Sequence, residues 1–253
     1  MKACVPILAA VIVVGLTGSL PAVADDDRIA RVIASDHRTD SDRKRDAASK
    51  PELMLALLDL ESGQAVVDLF AGGGYFSDLL AGVVGPQGTV ILQNNYGFAK
   101  WVDEYLQERY IDNEVPPITV LRSEVEDLML EPASLDAAIM SMCYHDLYYY
   151  NPEAGFRRTD VPAFFAQLHT ALKPGGKLLV IDHAAADGSG NSLTHDLHRV
   201  DEAFAKQDIE SNGFRLVKTS DALRNPDDPR TAKPFDPSIY RKTDRFVMLF
   251  VKD

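Results

Sequence analysis

The sequence contains only two cysteines, Cys4 and Cys143, among its 253 residues. This number excludes a small scaffold held by disulfides and a zinc site built from several cysteines. Basic residues are also scarce, since 26 Lys and Arg stand against 38 Asp and Glu and give a formal net charge of −12. A chain this acidic lacks the basic surface that nucleic-acid binding requires, so we expect no nucleic acid as a partner. The absence of a fixed internal period excludes collagen-like, coiled-coil and repeat folds.

The first 24 residues are predicted to be a signal peptide. A basic start at Lys2 is followed by an apolar run from Ala3 to about Leu20, and Ala22 and Ala24 form a small-x-small cleavage pattern. We predict cleavage after Ala24 and, because no twin-arginine pair is present, export of the unfolded chain to the periplasm or the medium. An uncleaved anchor is the alternative, but the prolines and glycines of the run disfavour a stable membrane-spanning helix.

Cleavage changes the composition of the mature chain in two ways. It removes one Lys and no acidic residue, so 25 basic against 38 acidic residues leave a net charge of −13. It also removes Cys4, which leaves Cys143 without a partner in its own chain. A single thiol in an oxidising compartment is safest when buried, so we expect Cys143 to be buried.

The mature chain divides into a charged extension and one domain. In the extension, residues 25–50, Ile29, Val32 and Ile33 fall at helical spacing and predict a short amphipathic helix leading into a mobile charged stretch. The alternative is a lid over an anionic or zwitterionic ligand. Residues 51–253 are predicted to form the single domain.

From Pro51 onward, strand-like apolar runs alternate with helix-like segments. Seven strands are predicted, at 65–70, 89–93, 118–122, 135–142, 177–182, 214–219 and 244–251. The alternation predicts an α/β fold, a doubly wound and mostly parallel sheet with helices on both faces. Only a long proline-rich loop separates the last two strands, so we expect the last strand to be antiparallel.

The most informative motif lies where the first strand runs through Asp68 into three glycines and then a helix. Glycines at this place let a ligand approach the backbone, although a strand–helix turn without a ligand has the same pattern. Ser77 stands at the third glycine position of a dinucleotide fingerprint, and no Gly-Lys-Ser/Thr sequence follows, which disfavours NAD and excludes a Walker loop. The acidic Asp68 favours a cationic or zwitterionic ligand over a pyrophosphate.

Several motifs together resemble the class I S-adenosylmethionine-dependent methyltransferases. They are the D-x-x-x-G-x-G run at 68–74, the acid after the third strand at 124, and the Leu-Lys-Pro-Gly-Gly run at 172–176. More narrowly, the runs at 45–46, 50–51, 198–201 and 242–246 resemble a group of exported bacterial predicted methyltransferases of unknown substrate. The resemblance covers about residues 50–253. It implies a Rossmann-like methyltransferase fold and S-adenosylmethionine as the cofactor.

The resemblance also implies which residues bind the cofactor. Asp68 and the loop of Gly72, Gly73 and Gly74 match the motif that contacts its amino-acid portion. Glu124 matches the position whose acid accepts a hydrogen bond from the adenine amino group.

Two positions depart from the family pattern. The end of the second strand, where an acid usually binds the ribose hydroxyls, carries Gln93 and Asn94, whose amides form hydrogen bonds without charge assistance. Phe70 stands where many members have a glycine.

The fold that the resemblance implies places the substrate beside the end of the fourth strand, where Tyr144, His145 and Asp146 are the predicted catalytic residues. His145 is predicted to act as a base where the acceptor must lose a proton, with Asp146 orienting its ring. Tyr144 and the run Tyr148–Tyr150 are predicted to form an aromatic wall that favours a methyl sulfonium. The alternative is a hydrogen-bonded loop histidine among tyrosines that pack the loop against the sheet.

Further histidines follow the fifth strand. His183, His195 and His198, with Asp196, have a spacing that metal sites use, but this spacing is common by chance and no convincing further ligand accompanies it. We therefore predict no metal site and expect these residues to line the substrate pocket or bind one another.

The sequence leaves three functions to compare. The leading one is a methyltransferase that uses S-adenosylmethionine to modify a small molecule. Because this cofactor is made in the cytosol, the second is an exported, non-catalytic ligand-binding protein that retains the fold. The third, an NAD-dependent oxidoreductase, is disfavoured by the residues around the glycine loop. The sequence does not identify the methyl acceptor or the oligomeric state.

Overall fold

The computed structural model describes residues 25–113 and 117–253. The predicted signal peptide, residues 1–24, lies outside the described residues. Among the helices of the described part, none combines the length and the apolar character needed to cross a membrane.

A seven-stranded sheet forms the centre of the molecule. Its strands are β1 (Ala65–Leu69), β2 (Thr89–Asn94), β3 (Ile118–Arg122), β4 (Leu135–Ser141), β5 (Leu172–His183), β6 (Phe214–Thr219) and β7 (Arg245–Lys252). Their order across the sheet is β3-β2-β1-β4-β5-β7-β6. The pairs among β1 to β5 are parallel, whereas β7 is antiparallel to both β5 and β6. The predicted doubly wound, mostly parallel sheet with an antiparallel last strand is confirmed.

Helices cover both faces of this sheet. They are α1 (Asp25–Ile33), α2 (Asp40–Ser49), α3 (Pro51–Leu58), α4 (Tyr75–Val84), α5 (Tyr96–Leu106), α6 (Val161–Ala171), α7 (Thr194–Leu197) and α8 (Glu202–Ser211). A π-helical turn, Gln107–Ile111, extends α5, and two short 3₁₀ helices cover Tyr144–Tyr148 and Pro152–Ala154.

Neighbouring strand residues pack into cores on opposite faces. Val66 packs with Leu79 of α4 on one face, and Val67 packs with Phe164 of α6 on the other; all are fully buried. A strand that is buried on both faces needs apolar side chains at successive positions. This explains the continuous apolar runs in the sequence.

Residues 40–49 form helix α2, where the sequence predicts a mobile charged stretch. A capping box formed by Thr39 and Asp42 begins this helix. Arg38, only 3% exposed, binds both carboxylate oxygens of Asp46, at 2.9 and 2.6 Å. Polar contacts rather than an apolar face therefore hold α2, and apolar periodicity does not detect such a helix.

The fifth strand begins earlier than expected. The Lys-Pro-Gly-Gly segment, which precedes the strand predicted at 177–182, is the first part of β5, and Leu172 already pairs with Leu135 of β4. The register shifts between Leu135 and Ala137, so a bulge accommodates the segment.

The parallel strands bring the candidate site together. β1, β4 and β5 lie side by side, and their carboxyl ends meet at one edge of the sheet. The segments that follow these ends carry the glycine loop, His145 and the residues after His183. This edge is where open α/β sheets bind ligands.

Candidate active site

A cavity of about 790 Å³ lies at the carboxyl edge of the sheet. This volume is within the range of pockets that bind small molecules and cofactors. Its wall combines the glycine loop, three arginines, three histidines and a group of aromatic rings.

The glycine loop forms one side of the cavity. Gly72 and Gly73 line it, and Gly72 adopts a φ of +57° with open space where a Cβ would lie. Gly74 is closed from behind, because a Cβ there would lie 2.5 Å from the hydroxyl of Tyr110. Phe70 also has a left-handed φ, +49°, which explains why glycine suits this position. Its ring stacks on Phe164 at 6.0 Å and lines the cavity without replacing the loop.

Asp68 is the buried acid of the loop. It is 2% exposed, lines the cavity, and accepts a hydrogen bond from Ser77 Oγ at 2.7 Å. Burial raises the pKa of Asp68 to about 7, against the opposing effects of Ser77 and the positive charge of Arg45. A cationic group bound in the cavity would favour the ionised form.

Three arginines, Arg45, Arg241 and Arg245, also line the cavity and bring positive charge to it. Arg45 projects from α2, where its guanidinium lies 4.1 Å from the centre of the Tyr75 ring. Arg245 is 6% exposed and donates from Nη2 to Ala48 O at 2.7 Å, but its buried Nε has no hydrogen-bond partner among the described residues. Burial, together with repulsion from Arg45, lowers the pKa of Arg245 to about 10. Uncompensated positive charge of this kind suits an anionic group.

Aromatic rings line another part of the cavity. They belong to Phe70, Phe98, Trp101, Tyr149 and Phe156. Phe98 contacts Phe156 edge to face, with ring centres 5.5 Å apart. A surface of this kind can take an aromatic base. Of the tyrosine run predicted as an aromatic wall, Tyr149 is the member that lines the cavity.

His145 lies at the base of the cavity and is held by Asp182. The two carboxylate oxygens of Asp182 lie 2.8 and 3.1 Å from His145 Nδ1, and Asp182 also accepts from the backbone N–H of His145 at 2.7 Å. Burial lowers the pKa of His145, but Asp146 and Asp182 outweigh it and raise the pKa to about 9. Asp182 therefore fixes the ring and favours its protonated form.

Two more histidines line the cavity beside His145. His198 Nδ1 lies 3.3 Å from His145 Nε2, and Asp146 Oδ1 lies 3.4 Å from the same atom. His183 Nδ1 contacts Thr243 Oγ1 at 2.7 Å, and burial, with the charge of His145, holds the pKa of His183 well below its usual value. The expectation that these side chains line one pocket or bind one another is met by His183 and His198. The exposed His195 instead contacts Asp196 at 3.1 Å.

Tyr144, predicted as a catalytic residue, does not line the cavity. Its side chain is fully buried, and its hydroxyl donates to Asp208 Oδ2 at 2.6 Å. Tyr148 donates to the same oxygen at 2.8 Å. The geometry therefore gives Tyr144 a structural contact and no route to a ligand in this cavity.

Gln93 and Asn94, predicted to face the ribose, are bound to the chain itself. Gln93 Oε1 accepts from the backbone N–H of Phe70, and its Nε2 donates to Ser123. Asn94 accepts from the N–H of Gly72 at 2.9 Å and donates to its carbonyl at 3.0 Å. Both amides thus hold the glycine loop in shape from behind, and neither lines the cavity.

Glu124, predicted to meet the adenine amino group, also lies outside the cavity wall. Its Oε1 accepts from the backbone N–H of Tyr96 at 3.1 Å, at the start of α5. A carboxylate at the first turn of a helix is a favourable structural contact.

Sequence reasoning missed the arginines and Asp182 as site residues. The sequence does contain a signal for them. Arg45 and Arg245 lie in two of the runs that resemble the exported group, at 45–46 and 242–246, and Asp182 directly precedes His183. The prediction for Cys143 is confirmed, since it is buried, its Sγ lies 3.4 Å from Leu69 O, and burial raises the pKa of its thiol.

Comparisons with known proteins agree with this fold. Residues 67–180 match the family model described as a methyltransferase domain. A SAM dependent methyltransferase from Aquifex aeolicus is 18% identical, with 90% of this chain and 98% of that chain covered and a TM-score of 0.58. An S-adenosylmethionine dependent methyltransferase from Mesorhizobium loti is 18% identical, with 82% and 100% covered and a TM-score of 0.56. No curated protein matches the sequence.

At this level of identity the solved structures establish the fold, a Rossmann-like methyltransferase fold. None of the comparisons favours the non-catalytic ligand-binding protein. The methyltransferase-domain match over residues 67–180, taken with this fold, supports a methyltransferase enzyme, and the two solved proteins named above are described as dependent on S-adenosylmethionine.

Proposed function

We propose that this protein is an exported methyltransferase that transfers the methyl group of S-adenosylmethionine to a small molecule inside the cavity. One observation carries the proposal: Asp68, the glycine loop and a held histidine, His145, line one cavity. Methyl transfer from a sulfonium is an in-line displacement in which the cofactor supplies both the methyl group and the leaving group. The protein therefore has mainly to position two molecules and exclude water.

The charges in the cavity suggest how the cofactor lies. Its amino-acid end is a zwitterion, whose ammonium group suits Asp68 and whose carboxylate suits Arg45. Its adenine suits the aromatic part formed by Phe98 and Phe156. This orientation leaves the methyl group for an acceptor bound beside His145.

His145 is proposed to act on the acceptor and not on the cofactor. Asp182 holds Nδ1, so that Nε2 is the ring atom left to face its neighbours in the cavity. A protonated ring at this place orients an acidic acceptor through a hydrogen bond, and a neutral ring can take the acceptor's proton.

Export remains a proposal that the sequence of residues 1–24 supports. In the part of the chain that the structure describes, the seven strands and the cavity-lining residues lie after residue 44, so cleavage after Ala24 would leave these parts of the proposed site in place.

Titration calorimetry with S-adenosylmethionine, S-adenosylhomocysteine and NAD tests the proposal. We expect one site per chain for the first two ligands and no heat from NAD. Ordinary cofactor sites bind far more tightly than a dissociation constant of about 1 mM. Absence of binding of the first two ligands at about millimolar concentration would therefore end the proposal.

A variant tests the role of His145. His145→Ala should lower the rate at which S-adenosylhomocysteine forms in the presence of a small-molecule extract, by at least about 100-fold. Cofactor affinity should change little. A variant with the full rate would remove His145 from the reaction.

A further inference from the structure

Three side chains at the base of the cavity direct ligand atoms at one another. They are His145 Nε2, Asp146 Oδ1 and His198 Nδ1, and these atoms all lie within 4.8 Å of one another. All three residues line the cavity. The exposed fractions of their side chains are 4%, 9% and 17%, so the cluster is largely shielded from water.

Two of the three distances in this cluster match those between ligands of one metal ion, and both distances to the carboxylate are too long for a normal hydrogen bond. They are 3.3 Å between the two nitrogens, and 3.4 and 3.8 Å from Asp146 Oδ1 to His145 and His198. An N–H···O hydrogen bond usually measures about 2.7–3.2 Å, so the carboxylate is too far for a normal one. For ligands about 2.0–2.1 Å from a zinc ion, the edges of a tetrahedron measure roughly 3.3–3.4 Å.

Neighbouring residues hold two of the three groups in this arrangement. Asp182 binds His145 Nδ1 at 2.8 Å, so the other ring nitrogen, Nε2, is the one presented to the cluster. A carboxylate behind a metal-binding histidine is a usual support of such sites. The ring of His198 lies against Tyr149, with centres 4.8 Å apart, and against Phe235 at 5.2 Å.

We propose that His145, Asp146 and His198 bind one divalent metal ion of the zinc class, with its remaining position open to the cavity. Imidazole nitrogens favour zinc and similar ions over Mg²⁺ or Ca²⁺. Two histidines, one carboxylate and an open position make a set found in catalytic zinc sites. The sequence predicts no metal site. The set considered there was His183, His195 and His198 with Asp196, because the adjacency of His145 and His198 depends on the fold.

The role of this ion rests on the proposed function. An acceptor hydroxyl or thiol bound to such an ion would lose its proton to solvent at neutral pH. Its lone pair would then form a bond to the methyl carbon as the carbon–sulfur bond breaks, and that electron pair would leave with S-adenosylhomocysteine. With the ion bound, His145 Nε2 would be one of its ligands, so the ion would replace a neutral His145 ring in removing the proton from the acceptor.

Binding of Zn²⁺ alone tests the site without cofactor or acceptor. The purified protein is freed of metal with a chelator, and Zn²⁺ is added in competition with a chromophoric chelator. We expect one tightly bound ion per chain. Co²⁺ in its place should give the visible absorption of a site with four or five ligands. Absence of Zn²⁺ binding would overturn the proposal.

Matched variants locate the ion. His198→Ala and Asp146→Asn should each weaken Zn²⁺ binding by about 100-fold or more, and Asp182→Asn by about 10–100-fold. His195→Ala, three residues away and exposed, should bind as the unchanged protein does. Unchanged affinity in His198→Ala, with thermal unfolding showing a folded protein, would overturn the assignment. Calorimetry with S-adenosylmethionine on the same metal-free samples separates a failure of this site from a failure of the proposed function.

Discussion

At the scale of single residues, three contacts converge on the carboxylate of Asp182. Its oxygens accept hydrogen bonds from the backbone N–H groups of His145 and His183, each at 2.7 Å, and contact the ring Nδ1 of His145. Asp182 thus ties the loop after β4 to the end of β5. The orientation of His145 follows from this carboxylate, which is fully buried and never meets the ligand itself.

Asp68 makes the stability of the protein depend on pH. Its pKa is about 7 in the folded protein, against an ordinary value of 3.8, so the folded state binds more protons between these values and stability falls as the pH rises through them. Asp68→Asn removes the buried charge. Its gain in unfolding free energy over the unchanged protein should therefore grow from about pH 5 to about pH 8 in urea titrations without ligand.

Asp59→Asn is the matched control, because the Asp59 side chain is 69% exposed. It should show no such growth. A constant difference between Asp68→Asn and the unchanged protein would mean that Asp68 is already ionised at low pH.

Arg45 is predicted to bind the amino-acid end of the cofactor. Arg45→Ala should weaken binding of S-adenosylmethionine by about 10-fold or more, since a charge-assisted contact is lost. Binding of 5′-methylthioadenosine, which lacks the amino-acid portion, should stay unchanged in calorimetry. Lys44→Ala, on the exposed side of α2, is the control and should affect neither ligand. Equal losses for both ligands in Arg45→Ala would contradict this orientation of the cofactor.

Tyr144 is predicted to contribute stability alone. Tyr144→Phe deletes one hydrogen bond to Asp208, while Tyr148 keeps its own. We expect a loss of about 1–2 kcal/mol in unfolding free energy and an unchanged rate of methyl transfer. A large loss of rate with unchanged stability would restore the catalytic role predicted from the sequence.

At the scale of elements, α2 is the part that completes the cavity. Arg109 joins it to the domain: it forms ion pairs with Asp42 of α2, at 2.6 Å, and with Asp78 of α4, and it donates to the carbonyl of Gly73 at 3.2 Å. Both aspartates are largely buried. One side chain therefore links the helix that carries Arg45 to the glycine loop.

Removal of this link should be costly. Arg109→Ala leaves two buried carboxylates without their cation, so we expect a loss of about 3–5 kcal/mol in unfolding free energy, with weaker cofactor binding. Arg215→Ala is the control, because its ion pair with Asp253 is exposed and should contribute less than about 1 kcal/mol. A small effect of Arg109→Ala in urea titrations would show that other contacts hold α2.

The elements also show what could be predicted from the sequence. Strands such as Ile118–Arg122 and the helix Tyr75–Val84 follow from apolar runs and the glycine loop, and both have the predicted bounds. Helix α2 does not, because its stability comes from ion pairs with residues distant in the chain. For the same reason the hydrogen bonds of Gln93 to Phe70 and Ser123 could not be read from its position at the end of β2.

At the scale of the whole molecule, the fold separates two regions of the cavity. The glycine loop lies at the carboxyl end of β1, with Arg45 of α2 nearby. The histidine cluster lies in the segments that follow the carboxyl ends of β4 and β5. A cofactor on the first side and an acceptor on the second would meet in the middle of the cavity. This arrangement lets each part be tested by itself, with nucleoside ligands for one and Zn²⁺ for the other.

The whole molecule is also predicted to be processed. Cleavage after Ala24 should give a protein that begins with Asp25, which N-terminal sequencing of the material recovered from the periplasm or medium would establish. An unprocessed N-terminus in that material, or recovery from the cytosol alone, would contradict export by a cleaved signal.

The proposed function requires that the cavity holds S-adenosylmethionine with its reactive end toward His145. A crystal structure with S-adenosylhomocysteine would show whether it does. We expect the amino-acid portion between Asp68 and Arg45, the adenine among the aromatic rings, and the sulfur facing the histidine cluster. A nucleoside bound elsewhere, or turned so that its sulfur faces away from His145, would contradict it.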